Sequence, residues 1–413
     1  MSPRALLPWL LPLVACGSTD PPADGATRPG GGSSGASASS GGSSGSSASG
    51  GTSSSGDPGP GGGGADAGPD GSAPKGPLFG FVGSPDGKIR VYDVDAKTGA
   101  WSQNPKRTSN AGSNPSFLTF DPNGRRVVAV DESGGGVVRS FTFDPATGAL
   151  TQVNQKPSGG AGPTHLSFDP TGAWIVVANY TGGNMSILPI AANGTLGDAT
   201  DTRPSGAKSH GAYFDRSGLH VLVPALQANV VAQYTLGAGG KLAGNGTAGP
   251  PPGAGPRHLA LAPDEKHAWI VNELAVSVTT CDYDAATGKL TAKDTISALP
   301  AGTSKEGVSG AEIAVHPTGK TVYASTRLGG SNTIAVFDVD ATTGALTRLE
   351  NPPTGASKPR SFAITPEGTY LFAGNEDAGE VVGFRIGDNG RLTSLGRTIQ
   401  VATPTFVGLA RFK

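Results

Sequence analysis

Residues 253–274 read GAGPRHLALAPDEKHAWIVNEL and predict a β-hairpin. Leu259–Ala262 is expected to form the first strand, Pro263–Lys266 the turn and Ala268–Val271 the second strand. Short apolar runs on either side of a polar segment that contains proline are typical of this arrangement. The same plan recurs along the chain, so this hairpin is taken as the unit of the fold.

The hairpin predicts which polar residues lie together. Arg257 and His258 come just before its first strand, and Asn272 and Glu273 come just after its second strand. Because an antiparallel pair returns to the edge at which it began, these four residues are expected at one edge of the sheet, with the turn at the other. A guanidinium, an imidazole and a carboxylate therefore share one rim.

A short turn motif repeats with a period near 47 residues. It reads TGAL or a close variant, and successive motif glycines are 49, 46, 46, 48, 56 and 46 residues apart. Strand patterning at this period predicts a β-propeller with four-stranded antiparallel blades. The motif glycines are Gly99, Gly148, Gly194, Gly240, Gly288, Gly344 and Gly390.

The two ends of the repeat region complete one another. Residues 78–100 contain outer strands without an inner one, whereas residues 405–412 contain an inner strand with nothing after it. Joining them gives a seventh blade and leaves no unpaired sheet edge. The sequence thus predicts an all-β, seven-bladed propeller whose ring is closed by pairing of the C-terminal strand with the N-terminal blade.

The first 77 residues have a different composition. Residues 1–15 carry one arginine and then an apolar run too short to cross a bilayer, which is typical of a signal peptide. Leu13-Val14-Ala15-Cys16 resembles the lipobox of bacterial lipoproteins, in which the cysteine is lipidated, and the Gly17 that follows favours the outer membrane. An ordinary signal peptide with a chance cysteine is the alternative. Residues 16–77, rich in Gly, Ser and Pro, are expected to be a disordered linker before a propeller at 78–413.

Charge and cysteine content limit the partners. A net charge of −1 gives no electrostatic reason to expect nucleic acid. Only Cys281 remains beside Cys16, so no internal disulfide is expected after lipidation. Contact with a membrane is expected through the N-terminal lipid alone, and the protein is expected to be a monomer.

The rim gathers groups suited to a small anionic ligand. Arginine forks bind carboxylates or phosphates, and histidine and glutamate move protons near neutral pH. The alternative is that such residues only cap strand ends and link neighbouring blades. Three histidines are enough to bind zinc with an open fourth position, but the arginines between them oppose a cation, so no metal and no cofactor are predicted. The rim candidates are His165, His210, His258, Arg257, Arg327, Arg360, Glu273 and Glu312. The remaining histidines, His220, His267 and His316, fall near the opposite face or within strands, where a structural role is expected.

Several segments resemble the seven-bladed propeller lactonases, a family that includes 6-phosphogluconolactonases and 3-carboxy-cis,cis-muconate lactonizing enzymes. The resemblance spans 78–413 and is carried by SHGAYFD (209–215), GAGPRHLALAP (253–263), VNEL (271–274), YASTR (323–327) and KPRSFAITPEG (358–368). It implies catalytic roles for His210, Arg257, Glu273 and Arg327, and the shared rim adds His165, His258, Glu312 and Arg360 as substrate-binding candidates.

A mechanism follows as a hypothesis from this resemblance. Arg257 and Arg327 would hold an anionic substituent and polarise the lactone carbonyl, while Glu273 or His210 would act as general base. The reverse reaction would be a muconate-type cyclisation. The alternative function is a non-catalytic ligand- or protein-binding propeller anchored to the outer membrane. Such a scaffold is expected to show its four main groups paired with one another and its funnel closed.

Overall fold

A computed structural model describes residues 76–133 and 135–412. These residues form seven four-stranded antiparallel sheets, and their only helical segment is a 3-10 turn at Ala238–Gly240. The predicted signal peptide and lipidation site, and the linker up to residue 75, lie outside the described residues. Within the described chain, no helix has both the length and the hydropathy needed to cross a membrane.

The strands of each blade run from the central channel to the outside in chain order. Blade 1 contains β4 (Leu118–Phe120), β5 (Arg126–Asp131), β6 (Val137–Asp144) and β7 (Ala149–Pro157). Blade 2 contains β8 (Pro163–Phe168), β9 (Trp174–Asn179), β10 (Asn184–Pro189) and β11 (Asp201–Pro204). Blade 3 contains β12 (Tyr213–Phe214), β13 (His220–Ala225), β14 (Val230–Gly237) and β15 (Lys241–Ala248).

Blades 4 to 6 repeat this order. Blade 4 contains β16 (Pro256–Leu261), β17 (His267–Asn272), β18 (Ser277–Asp284) and β19 (Lys289–Ser297). Blade 5 contains β20 (Ser309–Val315), β21 (Thr321–Arg327), β22 (Thr333–Val339) and β23 (Leu346–Glu350). Blade 6 contains β24 (Pro359–Ile364), β25 (Tyr370–Asn375), β26 (Glu380–Ile386) and β27 (Leu392–Gln400).

Blade 7 is built from both ends of the repeat region, as the sequence predicts. Its strand order is β28, β1, β2, β3, so the C-terminal strand is the innermost one. The register of β28 on β1 runs from Leu78 opposite Arg411 to Gly83 opposite Phe406. The seven-bladed, four-stranded fold and its closure are therefore confirmed. The strands of this blade are β28 (Phe406–Arg411), β1 (Leu78–Ser84), β2 (Lys88–Val94) and β3 (Arg107–Asn110).

The reference hairpin is longer than the sequence indicates. Its first strand begins at Pro256, so Arg257 and His258 lie within β16 and not before it, and Asn272 ends β17. Main-chain pairing extends beyond the apolar run because hydrogen bonds in a ladder do not require apolar side chains. The turn motif also leads first into the outermost strand of its blade, such as β19, and the next inner strand follows.

The motif glycines allow a blade to pack closely against the one before it. Gly288 has φ +68°, and a Cβ placed on it would lie 2.2 Å from Cδ2 of His220, the first residue of β13. Only glycine fits both this backbone angle and this close approach. The same arrangement recurs with Gly240 on Trp174, Gly344 on His267, Gly390 on Thr321 and Gly99 on Tyr370. The opposite-face histidines His220 and His267 therefore serve blade packing.

Replacing Gly288 by alanine is expected to destabilise the propeller more than the same change at Gly302. Gly302 has φ +77° with nothing within 4 Å of the added Cβ, so it carries only the backbone cost, roughly 1–2 kcal/mol. At position 288 the added methyl group also clashes with His220, and this overpacking is expected to cost roughly a further 1–3 kcal/mol of stability. Denaturant unfolding of the two variants measures the difference. Equal destabilisation would contradict the role assigned to the close approach.

Candidate functional site

Two rows of inner-strand residues surround one mouth of the central channel. When the inner strands are aligned by their register, each blade contributes two consecutive residues to the channel mouth. We call the row formed by the first residues the upper row and the row formed by the second residues the lower row. The upper row is Ser116, Thr164, His210, Arg257, Ala311, Arg360 and Thr405. The lower row is Phe117, His165, Gly211, His258, Glu312, Ser361 and Phe406. These two rows contain six of the eight predicted site residues.

Register shifts on the inner strands allow both rows to reach the channel. Pro256 pairs with Asn272 and His258 pairs with Val271, so Arg257 is an extra residue on β16. The register shifts at the equivalent position after Pro163 and after Pro359. Successive residues of a regular strand point to opposite faces, whereas a bulge changes the direction of the strand and re-aims its side chains. Arg257 and His258 can therefore line one pocket.

A polar pocket opens between the two rows. Its free interior is about 10 Å³, which is room for roughly one water molecule. All nine of its lining residues belong to the two rows: Ser116, Phe117, Thr164, Arg257, His258, Glu312, Arg360, Ser361 and Thr405. Aromatic rings pack beneath it, with the Phe117 ring centroid 4.1 Å from that of His165 and 5.0 Å from that of Phe406.

Arg257 lies at the centre of a network of buried charges. Its side chain is 2% exposed and donates to the carbonyl of Ala311 through Nη1. Oε2 of Glu273 lies 3.1 Å from Nε of Arg257 and 3.5 Å from Nη2 of Arg327, so one carboxylate bridges two guanidinium groups. Burial and the charge of Arg327 lower the pKa of Arg257 to about 10, which leaves it protonated at neutral pH.

Glu273 and Arg327 form a layer that supports the pocket and does not line it. Glu273 follows β17, Arg327 ends β21, and Nε of Arg327 donates to the Ser309 hydroxyl at 3.2 Å. Burial lowers the pKa of Arg327. The structure thus brings together three of the four residues that the resemblance marks as catalytic, and it shows them as an ion-paired triad.

His258 forms a short contact with Glu312 of the next blade. Its Nδ1 lies 2.7 Å from Oε1 of Glu312, and the two side chains are 3% and 12% exposed. Burial, reinforced by the charges of Arg257 and other arginines, holds the pKa of His258 well below its ordinary range. Burial raises the pKa of Glu312. Both residues line the pocket, so the group classed above as substrate-binding includes a closely paired imidazole and carboxylate.

His165 and His210 flank His258. Their ring centroids each lie 5.1 Å from that of His258. Nδ1 of His165 accepts a hydrogen bond from the main-chain N–H of Ala212, whereas Nδ1 of His210 has no hydrogen-bond partner among the described residues. Burial lowers the pKa of both well below the ordinary value, so both imidazoles are neutral. Neither residue lines the pocket itself.

Arg360 completes the pocket wall opposite Arg257. It forms an ion pair of 3.5 Å with Glu132, which follows β5 of blade 1, two blades further around the ring. Its side chain is 20% exposed, so it is the more accessible of the two pocket arginines. Glu132 lies on the predicted rim, but nothing in the sequence marks it as the partner of a residue 228 positions away.

Sequence reasoning did not select the hydroxyl groups of the pocket. Ser116, Thr164, Ser361 and Thr405 occupy the rows beside the arginines, and the Ser116 hydroxyl is buried with no partner in the described chain. The repeat alignment places all four on the predicted rim, which is the signal that could have identified them. No group of three or more described His, Cys, Asp or Glu residues has an arrangement suited to a metal ion.

The fold and this pocket define a class of protein, a seven-bladed propeller with a basic funnel pocket lined by several hydroxyl groups. The family model described as "Lactonase, 7-bladed beta-propeller" matches residues 79–409. The chain therefore belongs to the seven-bladed β-propeller lactonase family, and the predicted lactonase function is confirmed at this level.

Individual relatives agree with the family. The 6-phosphogluconolactonase of Bacillus subtilis (strain 168) is 30% identical over 331 residues, which cover 77% of this chain and 93% of that protein. The periplasmic gluconolactonase PpgL of Pseudomonas aeruginosa superposes with a TM-score of 0.75 at 25% identity, covering 81% of this chain and all of the other. A putative 6-phosphogluconolactonase of Bacteroides fragilis gives 0.74 at 27% identity, covering 82% and 99%.

Proposed function

We propose that this protein hydrolyses a lactone of an anionic sugar acid or a related organic acid in the funnel pocket. The observation that carries the proposal is the placement of Arg257 and Arg360 on the wall of one pocket whose remaining polar groups are mostly hydroxyls. Guanidinium groups bind carboxylate or phosphate through paired hydrogen bonds. Ser116, Thr164 and Thr405 suit the hydroxyl groups of a sugar-acid ring.

Arg257 is positioned to stabilise the charge that develops on the lactone carbonyl oxygen. Glu273 and the carbonyl of Ala311 hold its guanidinium in place. A donor fixed before the reaction in a site of low dielectric stabilises an oxyanion without reorganisation. Glu273 and Arg327 act in this arrangement by positioning Arg257. Arg360, which is more exposed, is assigned to the anionic substituent of the substrate.

The pairing of Glu273 with two arginines is a feature that the non-catalytic alternative predicts. The small size of the pocket does not separate the two alternatives. Arg257 still lines this pocket, together with the His258–Glu312 pair. A cation beside an imidazole–carboxylate pair is the arrangement that favours catalysis.

A substrate panel tests the proposal. The purified full-length protein is expected to hydrolyse 6-phosphogluconolactone with a higher kcat/KM than gluconolactone, because only the phosphorylated substrate gains the pairing with Arg360. Arg360→Met should reduce this preference by about tenfold, the equivalent of roughly 1.4 kcal/mol for a charge-assisted hydrogen bond. Arg203→Met, at an exposed arginine paired with Asp201, is the matched control. Hydrolysis of no lactone on the panel would refute the proposed function.

We also propose that the protein is exported and attached to the outer membrane by a lipid on Cys16. The Leu13-Val14-Ala15-Cys16 segment supports this, as does the periplasmic description of the Pseudomonas aeruginosa relative. Phosphogluconolactone is formed in the cytosol, so a related sugar-acid or organic-acid lactone is the favoured natural substrate for an exported protein.

Cys16→Ser is expected to abolish incorporation of radiolabelled fatty acid and to move the protein from the membrane fraction to the soluble fraction. Stable membrane attachment normally needs two anchoring groups, such as two acyl chains, and a bacterial lipoprotein carries several acyl chains on one cysteine. Cys281→Ala is the matched control, since Cys281 is the buried cysteine of β18. Continued labelling of Cys16→Ser, or loss of labelling in Cys281→Ala, would contradict the proposal.

A further inference from the structure

The carboxylate of Glu312 is held in one orientation beside His258. Its Oε1 accepts a hydrogen bond from the main-chain N–H of Ile313 at 3.1 Å, and its own N–H donates to the Ser325 hydroxyl at 2.9 Å. The remaining contact of Oε1 is to Nδ1 of His258 at 2.7 Å. The other ring nitrogen of His258, Nε2, is buried and has no hydrogen-bond partner among residues 76–133 and 135–412.

We infer that His258 is the general base of lactone hydrolysis and that Glu312 is the residue that positions it. This inference rests on the proposed function and assigns the proton-transfer step within the same pocket. A carboxylate on one ring nitrogen, with the other nitrogen left without a partner, is the arrangement that fixes the tautomer of a catalytic imidazole.

The contacts to Nδ1 assign its proton. Glu312 Oε1 lies 2.7 Å from Nδ1, whereas Nη1 of Arg257 lies 3.3 Å away. The shorter contact is an N–H donor on a carboxylate, so Nδ1 carries the proton and Nε2 keeps its lone pair. Burial and the neighbouring arginines lower the pKa of His258, so the imidazole is neutral at neutral pH and Nε2 holds a free lone pair.

The two other candidate bases are less well placed. Glu273 has its carboxylate engaged by Arg257 and Arg327, and it does not line the pocket. His210 also lies outside the pocket lining, and its ring faces those of His258 and Tyr180. In the described part of the chain, no carboxylate pairs with His210 as Glu312 pairs with His258.

The assigned step balances without a co-reactant. A water oxygen forms a bond to the lactone carbonyl carbon while His258 Nε2 accepts a proton from that water. The carbonyl π electrons move to the oxygen, where Arg257 stabilises the negative charge. The ring C–O bond then breaks as the oxyanion collapses, and the imidazolium returns its proton to the departing alkoxide. The product is the open-chain hydroxy acid.

Steady-state kinetics of three variants test the assignment. His258→Gln is expected to lower kcat by about 10²–10⁴-fold, the usual contribution of a general base, with little change in KM. Glu312→Gln should lower kcat by a smaller factor, also with little change in KM. The double variant should be no slower than His258→Gln alone, because Glu312 acts only through His258. His316→Gln, on the opposite face, is the control and should keep wild-type kcat.

Other results would overturn the inference. If kcat of His258→Gln lies within about threefold of the wild-type value, His258 is not the general base. If the losses of activity are strictly additive in the double variant, Glu312 does not act through His258 and has only a structural role. If Glu273→Gln loses activity while His258→Gln keeps it, the base is Glu273. Thermal melting of each variant shows whether a loss of activity comes from unfolding.

A second measurement separates this inference from the proposed function. Nitrogen-15 NMR of the histidine rings is expected to show His258 as the Nδ1–H tautomer with a strongly hydrogen-bonded proton that disappears in Glu312→Gln. The Nε2–H tautomer would overturn the dyad whether or not a substrate is found. If the wild-type protein hydrolyses no lactone, the proposed function fails, and the tautomer alone still decides whether His258 and Glu312 form the dyad.

Discussion

Replacing Arg257 by methionine is expected to lower kcat/KM for lactone hydrolysis by about 10²–10³-fold. Loss of one fixed donor to an oxyanion in a water-poor site costs about 2.7–4 kcal/mol of transition-state stabilisation. Arg257 is 2% exposed and held by Ala311 and Glu273, so its guanidinium meets the requirement of a donor fixed before the reaction. The measurement is kcat/KM on the most active lactone of the panel.

Arg257→Lys refines the test. It keeps a positive charge at the pocket wall but loses the planar fork that contacts Ala311 and Glu273 together. We expect its activity to lie between those of wild type and Arg257→Met. Arg203→Met, which removes an exposed arginine outside the pocket, should remain within about twofold of wild type, because surface substitutions rarely matter.

The outcome that would contradict the role of Arg257 is an Arg257→Met variant with at least a third of wild-type kcat/KM. Unfolding is a separate possibility, because removing a buried charge leaves Glu273 with one partner, Arg327, at 3.5 Å. A melting curve measured beside the kinetics distinguishes the two causes. Retention of fold with loss of activity is the expected result.

The sequence predicted the fold because its turn motif is constrained locally. All seven motif glycines have a positive φ, and Gly288 and four of its equivalents also approach the preceding blade closely, so the motif recurs once in every blade. The split seventh blade was equally readable, since residues 78–100 lack an inner strand and residues 405–412 supply one. The turn motif depends on neighbouring residues, and the split blade follows from counting the strands in each repeat, both of which a single sequence displays.

The sequence predicted which segments lie on one rim, but not which of their side chains line the pocket. Repeat alignment placed Arg257, His258 and Glu312 on one rim, and the structure agrees. The bulge at Arg257 could not be predicted, because it depends on how β16 and β17 come into register. The extra residue is what lets Arg257 and His258 line the same pocket, so substrate-binding and proton-transfer roles could not be separated beforehand.

Ion pairs between residues distant in sequence are the remaining part of the site that the sequence could not predict. Glu273 bridges Arg257 of its own blade and Arg327 of the next, and Arg360 pairs with Glu132 two blades further around the ring. These contacts join side chains that are distant in sequence, and their partners follow from the ring geometry. Glu273 therefore appeared as a candidate base from its motif, whereas its observed contacts make it a support for two arginines.

The largest expected effect on stability comes from removing residues 405–413, which include strand β28. Four large apolar side chains of this segment are buried to 5% exposure or less: Phe406, Val407, Leu409 and Phe412. At 1.5–3 kcal/mol each, their burial amounts to roughly 6–12 kcal/mol, comparable to the whole stability of a typical domain. The deletion also exposes the edge of β1. We expect the truncated protein not to fold, as measured by circular dichroism and denaturant unfolding.

A rearranged chain provides the matched control and tests ring closure directly. Moving residues 405–412 in front of Leu78, joined by a short Gly-Ser linker, turns the split blade into a continuous one. Arg411 lies opposite Leu78 in the antiparallel register, so a tight turn can connect them. This variant should fold with nearly wild-type stability, since it keeps every pairing between β28 and β1. A folded truncation, or an unfolded rearranged chain, would show that closure by the C-terminal strand is not what holds the ring together.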